Sequence, residues 1–68
     1  MINTRKLKAA MIEAGCTQKE LAEKLGISEN SVSKKINGKR SFNIDEACAV
    51  CEALNIVDVV TKAQIFLL

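Results

Sequence analysis

Between residues 28 and 34 the sequence reads "SENSVSK". Ser28, Glu29, Asn30, Ser31, Ser33 and Lys34 place hydroxyls, a carboxylate, an amide and an ammonium on one short stretch. No catalytic pairing is available to them. The chain has no histidine, so neither a Ser-His nor a Cys-His couple can form. Its glycines, at 15, 26 and 38, stand alone, so no glycine-rich phosphate loop exists. The acids are scattered and do not make a general acid/base pair. What the cluster offers is hydrogen bonding, with donors and acceptors side by side. That is the chemistry of recognising a polar partner. No enzyme and no cofactor are expected.

A second stretch invites a chemical reading. "CAVC" at 48–51 has the C-x-x-C spacing that can mark zinc or redox chemistry. A closed zinc site takes four ligands. The chain supplies only Cys16, Cys48 and Cys51, with no histidine to complete the set, so no metal is expected. The pair is read instead as buried thiols acting as small apolar residues. Three free cysteines fit a reducing cytoplasm.

With 68 residues, one domain spanning 1–68 is expected. Such a chain needs an efficient core, because small domains bury a modest fraction of their surface. Apolar residues make up 49%, too many for a disordered chain. Phe42 and Phe66 are the only aromatics, so the core must be aliphatic. Proline is absent, and each glycine falls between apolar-periodic segments, where helix C-terminal caps belong. The chain therefore reads as all-α. No apolar run approaches the roughly 20 residues that span a bilayer. The opening "MINTRKLK" lacks a secretory apolar core, and a cytoplasmic protein is expected.

Charge is unevenly spread. Residues 1–40 hold nine basic and four acidic side chains, a net of +5, whereas residues 41–68 carry −3. A basic face toward an anionic partner and an acidic back follow from that asymmetry.

The elements that must position the cluster can be read from spacing and caps. Leu7, Ala10, Met11 and Ala14 recur on one face and predict a helix over Thr4 to Ala14, ended by Gly15. Thr17 with Glu20 forms a capping box for helix 2, whose inner face is Leu21, Ala22 and Leu25. Gly26 can adopt the left-handed conformation at little steric cost, and Ile27 plugs the turn. Ser28 is a natural N-cap for helix 3, with Val32 and Ile36 inward and Asn37-Gly38 at its end. Asn43 with Glu46 caps helix 4, buried through Ala47, Val50, Cys51 and Leu54. Asn55-Ile56-Val57 is a break. Asp58 then caps a last helix to about Leu68, with Val59 or Val60, Ala63, Phe66 and Leu67 as its apolar contacts.

Helices 2 and 3 make a unit: two short helices at a fixed angle, with one face of the second left outside. Here residues 5–54 closely resemble the phage repressor and Cro type of helix-turn-helix protein. The residues that carry the likeness are Gln18, Leu21, Ala22, Leu25, Gly26, Ile27, Val32, Ile36 and "NGK" at 37–39. The fold it implies is the compact five-helix, lambda-repressor-like domain with its helix-turn-helix at helices 2 and 3. The resemblance places helix 3 in the DNA major groove and helix 2 across the backbone. Known members often pair an arginine in helix 1 with an acid late in helix 3. The matching positions here, Met11 and Ile36, are apolar, and an apolar contact can replace a buried ion pair without loss of stability.

The residues fit that placement. With Val32 and Ile36 inward, Asn30, Lys34 and Asn37 point most directly outward, and Ser31 and Ser33 flank them. Glu29 is angled sideways in the first turn, and Lys35 points sideways, contributing only long-range field. Asn pairs with adenine, Lys donates to guanine and Glu accepts from the cytosine amino group. Asn30 and Lys34 are the expected base readers, with Ser28, Glu29, Ser31 and Ser33 contributing. The resemblance puts Gln18 beside a phosphate at the start of helix 2, and Asn37, Lys39 and Arg40 in the loop that meets the backbone.

The partner implied is a double-stranded DNA operator, bound as a homodimer by a transcriptional regulator, a repressor of prophage type. Loop 38–43 and Phe66, Leu67 and Leu68 are candidate dimer surfaces, the alternative being that they finish the core of a small domain. No small-molecule effector is expected. The alternative is a helical protein-interaction module such as an antitoxin, with the terminal helix holding the partner.

Overall fold

The structure, a computed structural model, describes residues 2–66. It contains α1 (Thr4–Ala14), α2 (Gln18–Leu25), α3 (Glu29–Ile36), α4 (Ile44–Ala53) and α5 (Val59–Phe66), with no strand among the described residues. Each start has a local cause. The Asn3 side chain accepts from the Lys6 amide at 3.1 Å and caps α1. Thr17 and Glu20 make the reciprocal capping box of α2, and Asn43 and Glu46 that of α4. Ser28 caps α3, and Asp58 accepts from the Thr61 amide at 2.8 Å at the head of α5. Gly15 and Gly26 close α1 and α2 at φ 66° and 69°, a left-handed backbone that costs a residue with a Cβ about 1–2 kcal/mol. Asn55 turns the chain between α4 and α5 in the same way, at φ 57°.

One buried cluster joins the helices. Leu7, Leu21, Val32, Ile36, Val50 and Ile65 are fully enclosed, with Met11, Ala22, Cys51, Leu54, Ile56 and Phe66 around them. Burying an aliphatic side chain of this size is worth about 1.5–3 kcal/mol, so these contacts dominate stability. α2 packs on α3 and α4, while α1 packs on α5 and α3. The backbone of Asn3 donates to the Ile65 carbonyl at 2.7 Å, drawing the two ends of the described chain together. Met11 and Ile36, the apolar pair in place of a charged one, both lie in this core.

Four expectations need correction. Ala14 is exposed, because the last turn of α1 lies beyond the neighbours that cover Leu7 and Met11. Val59 and Val60 are 78% and 64% exposed. α5 turns its C-terminal end inward instead, through Ile65 and Phe66, where α1 receives it. Phe66 is therefore core rather than dimer surface, its ring edge-on to Phe42 at 5.9 Å. Leu67 and Leu68, the other candidates, lie outside the described residues. Cys48 is exposed while Cys51 is buried, so only the second thiol acts as a core residue, and Cys16 is half-buried. The two thiols stand three residues apart, only about 60° around α4, and that small rotation separates solvent from interior.

Candidate nucleic-acid interface

α3 is fixed from both sides of its sequence. Val32 and Ile36 anchor it at zero exposure, which turns Asn30 and Lys34 to solvent on the opposite face. Neither of these two side chains has a hydrogen-bond or ion-pair partner among the described residues, so their donors and acceptors are unspent. Glu29 is likewise exposed, in the first turn.

The serines are partly committed. Ser28 accepts from the Ser31 amide at 3.1 Å, as its capping role requires, and its hydroxyl lies 2.9 Å from that of Ser31. Ser28 is therefore primarily a cap, and Ser31 and Ser33 sit half-buried on the flanks of the exposed face. Asn37 folds back on the helix: its Nδ2 donates to the Ser33 carbonyl at 2.8 Å. The same nitrogen lies 3.5 Å from the Ser33 hydroxyl, so it is the side-chain carbonyl oxygen of Asn37 that remains for anything outside.

The loop that follows is tied to the helix end by its backbone. The Lys34 carbonyl accepts from the amides of both Lys39, at 2.8 Å, and Arg40, at 3.3 Å. The side chains of Lys39 and Arg40 are exposed. Gln18, the first residue of α2, is half-buried and lines a shallow groove together with Ile36 from the end of α3. The capping box satisfies the amides of Thr17 and Glu20, leaving those of Gln18 and Lys19 without a partner inside the helix. Glu20 is held below the ordinary carboxylate range, first by the Thr17 amide and then by its hydroxyl. Its charge offsets the positive helix end, so attraction for an anion there rests on the Gln18 amide itself.

Lys35 departs from its sequence reading. It does not lie free at the side of α3 but reaches Glu46 on α4, with its Nζ 2.5 and 2.6 Å from the two carboxylate oxygens. Both side chains are largely covered, at 14% and 16% exposure. Glu46 is pulled below its usual range by the Lys35 hydrogen bond first and the Asn43 amide second. Nothing local in the sequence marks this pair, since its partners stand 11 residues apart on separate helices.

The candidate readers thus occupy the outer face of α3, and the loop side chains Lys39 and Arg40 follow at its C-terminal end. Among the described residues no helix is long and apolar enough to cross a membrane. No curated protein and no solved structure matches the chain. A family model described as helix-turn-helix matches residues 7–60, a span that takes in the tight α2–α3 turn, its exposed polar helix and the loop beyond it. With α2 and α3 joined through Gly26 and held on α1 and α4, the chain belongs to the XRE-type helix-turn-helix family of DNA-binding transcriptional regulators.

Proposed function

We propose that this regulator is a sequence-specific repressor of prophage type, acting as a homodimer on a palindromic operator, with residues 1–68 as one DNA-binding unit. α3 enters the major groove. Asn30 and Lys34 read base edges, and Glu29, Ser28, Ser31 and Ser33 contribute around them. Gln18, Asn37, Lys39 and Arg40 hold phosphates and set the register. Repression is steric: the bound protein occupies an operator that overlaps a promoter.

The observation that carries this reading is the outward, unpartnered state of Asn30 and Lys34 on a helix whose other face is locked by Val32 and Ile36. Size supports the dimer. The longest extent is 28 Å, less than the roughly 34–36 Å between half-sites one turn apart, so two copies fit side by side. Val57, Val59 and Val60, at 83%, 78% and 64% exposure, are apolar surface that a second copy would cover.

Those same valines favour a second reading, a helical module such as an antitoxin that grips a protein with its last helix. Salt separates the two. Phosphate contacts make affinity fall steeply as salt rises, whereas an apolar protein contact barely responds. The direct test is selection from a random duplex pool at physiological salt. The reading expects enrichment of a pseudo-palindrome with half-sites about 10 bp apart. A pool that emerges unenriched refutes it.

A further inference from the structure

Resting on the DNA-binding reading above, we propose that Glu46 is a positioning residue whose carboxylate clasps the two ends of loop 37–43 and so presents Asn37, Lys39 and Arg40 to the phosphate backbone. The loop leaves α3 just after Lys35 and enters α4 at Asn43. Both ends converge on one carboxylate. Lys35 Nζ donates to its two oxygens, and the Asn43 amide donates to Oε1 at 3.0 Å. In return the Asn43 side chain accepts from the Glu46 amide at 2.7 Å.

The surroundings reinforce the closure. Phe42, the residue before Asn43, lies beneath the Lys35 ammonium with its ring centroid 5.9 Å away. The same ring is held edge-on by Phe66 at 86°. Lys35–Glu46 is the only ion pair among the described residues, and it is mostly covered, so salt screens it less than a surface pair. At the near end of the loop, the Lys34 carbonyl already holds the Lys39 and Arg40 amides. A loop fixed in this way loses less conformational freedom when it meets DNA. Glu46 itself needs no contact with the duplex. It acts through Lys35 and Asn43.

A role for Glu46 through charge alone makes the opposite prediction, which gives the test its force. Removing a carboxylate close to a DNA-binding surface should tighten binding and free Lys35 for phosphate. Loss of a clasp should weaken it. The full chain, wild type and the variants Glu46→Gln, Glu46→Asp and Lys35→Arg, is titrated against a duplex selected from the pool and against a random-sequence duplex. Far-UV circular dichroism and melting verify that each variant is folded at the titration temperature.

Positioning expects Glu46→Gln, which loses the charge, and Glu46→Asp, which keeps it but falls short of Lys35, to weaken binding to both duplexes alike. The expected loss is about tenfold, the scale of one charge-assisted hydrogen bond. The salt dependence should flatten as well, and Lys35→Arg should stay within about twofold of wild type because it preserves the pair. Tighter binding by Glu46→Gln, unchanged binding by Glu46→Asp, or a lowered melting temperature with unaltered affinity each overturns the clasp. Failure of the wild type to bind either duplex is a different result, and it refutes the DNA reading itself.

Discussion

The division between readers and anchors is most sharply tested by two lysines. Lys34 and Lys39 lie five positions apart, both exposed, and neither side chain has a partner inside the described structure. Replacing either with alanine should leave stability within about 0.5 kcal/mol of wild type. Any change in DNA affinity is then a property of the interface. Lys34 projects from the outer face of α3, so Lys34→Ala should cost about 1–3 kcal/mol on the selected operator and relax preference at one position. That corresponds to roughly 5- to 150-fold in affinity. Lys39 sits past the helix end and is exposed, and the proposed function has it meet backbone rather than base edges. Lys39→Ala should weaken every sequence by a similar factor and lower the salt exponent by about 0.9. Over a fourfold rise in salt, wild type should lose about 3.5 times more affinity than this variant. Fluorescence anisotropy against the operator, its single-base variants and a scrambled duplex, at two salt concentrations, measures both effects. Equal specificity profiles and equal salt slopes for the two variants would refute the assignment of Lys34 to bases and Lys39 to phosphate.

Three further outcomes are expected. Gly26→Ala meets no atom within 4 Å of the added Cβ, so only the left-handed backbone at φ 69° opposes it. The loss should be about 1–2 kcal/mol, a drop of about 4–16 °C in melting temperature for a domain of this size, and an unchanged Tm would contradict the turn geometry. On the acid side, Glu46, Glu20 and Asp58 are all held below their ordinary range, by Lys35, by the Thr17 amide and by the Thr61 amide respectively. The unfolded chain binds those protons more readily, so the stabilisation is intact above about pH 5.5 and is lost as pH falls through about 4.5 and below. Urea midpoints should be flat near neutrality and decline below about pH 5; a midpoint that rises on acidification would be inconsistent with these contacts. Among the thiols, Cys48 should react with a maleimide in the native protein and Cys51 only after unfolding, because Cys48 is exposed and burial both hides Cys51 and raises its pKa. Mass mapping that finds Cys51 labelled first would contradict the packing of α4.

What could be read without coordinates is what short-range physics decides. The Thr17–Glu20 and Asn43–Glu46 boxes act over three residues, and the glycines at 15 and 26 end helices through their own backbone freedom. The inward spacing of Val32 and Ile36 already implied that Asn30 and Lys34 would face out. These features depend on neighbours along the chain, so the order and starts of the helices, the ends of the first four, and the exposed face of α3 followed from the residues alone, while the expected end of the last helix at about Leu68 lies outside the described residues. Other features depend on what lies across space. Val59 and Val60 are as apolar as Ile65, and only the meeting of α5 with α1 at its far end leaves the valines outside. Cys48 and Cys51 share a motif, yet α4 packing buries one and exposes the other. Lys35 was a surface charge by its position on a helix wheel. It became half of the clasp because the fold carries Glu46 to it across an intervening loop, and a pairing between separate helices leaves no periodic trace in a sequence.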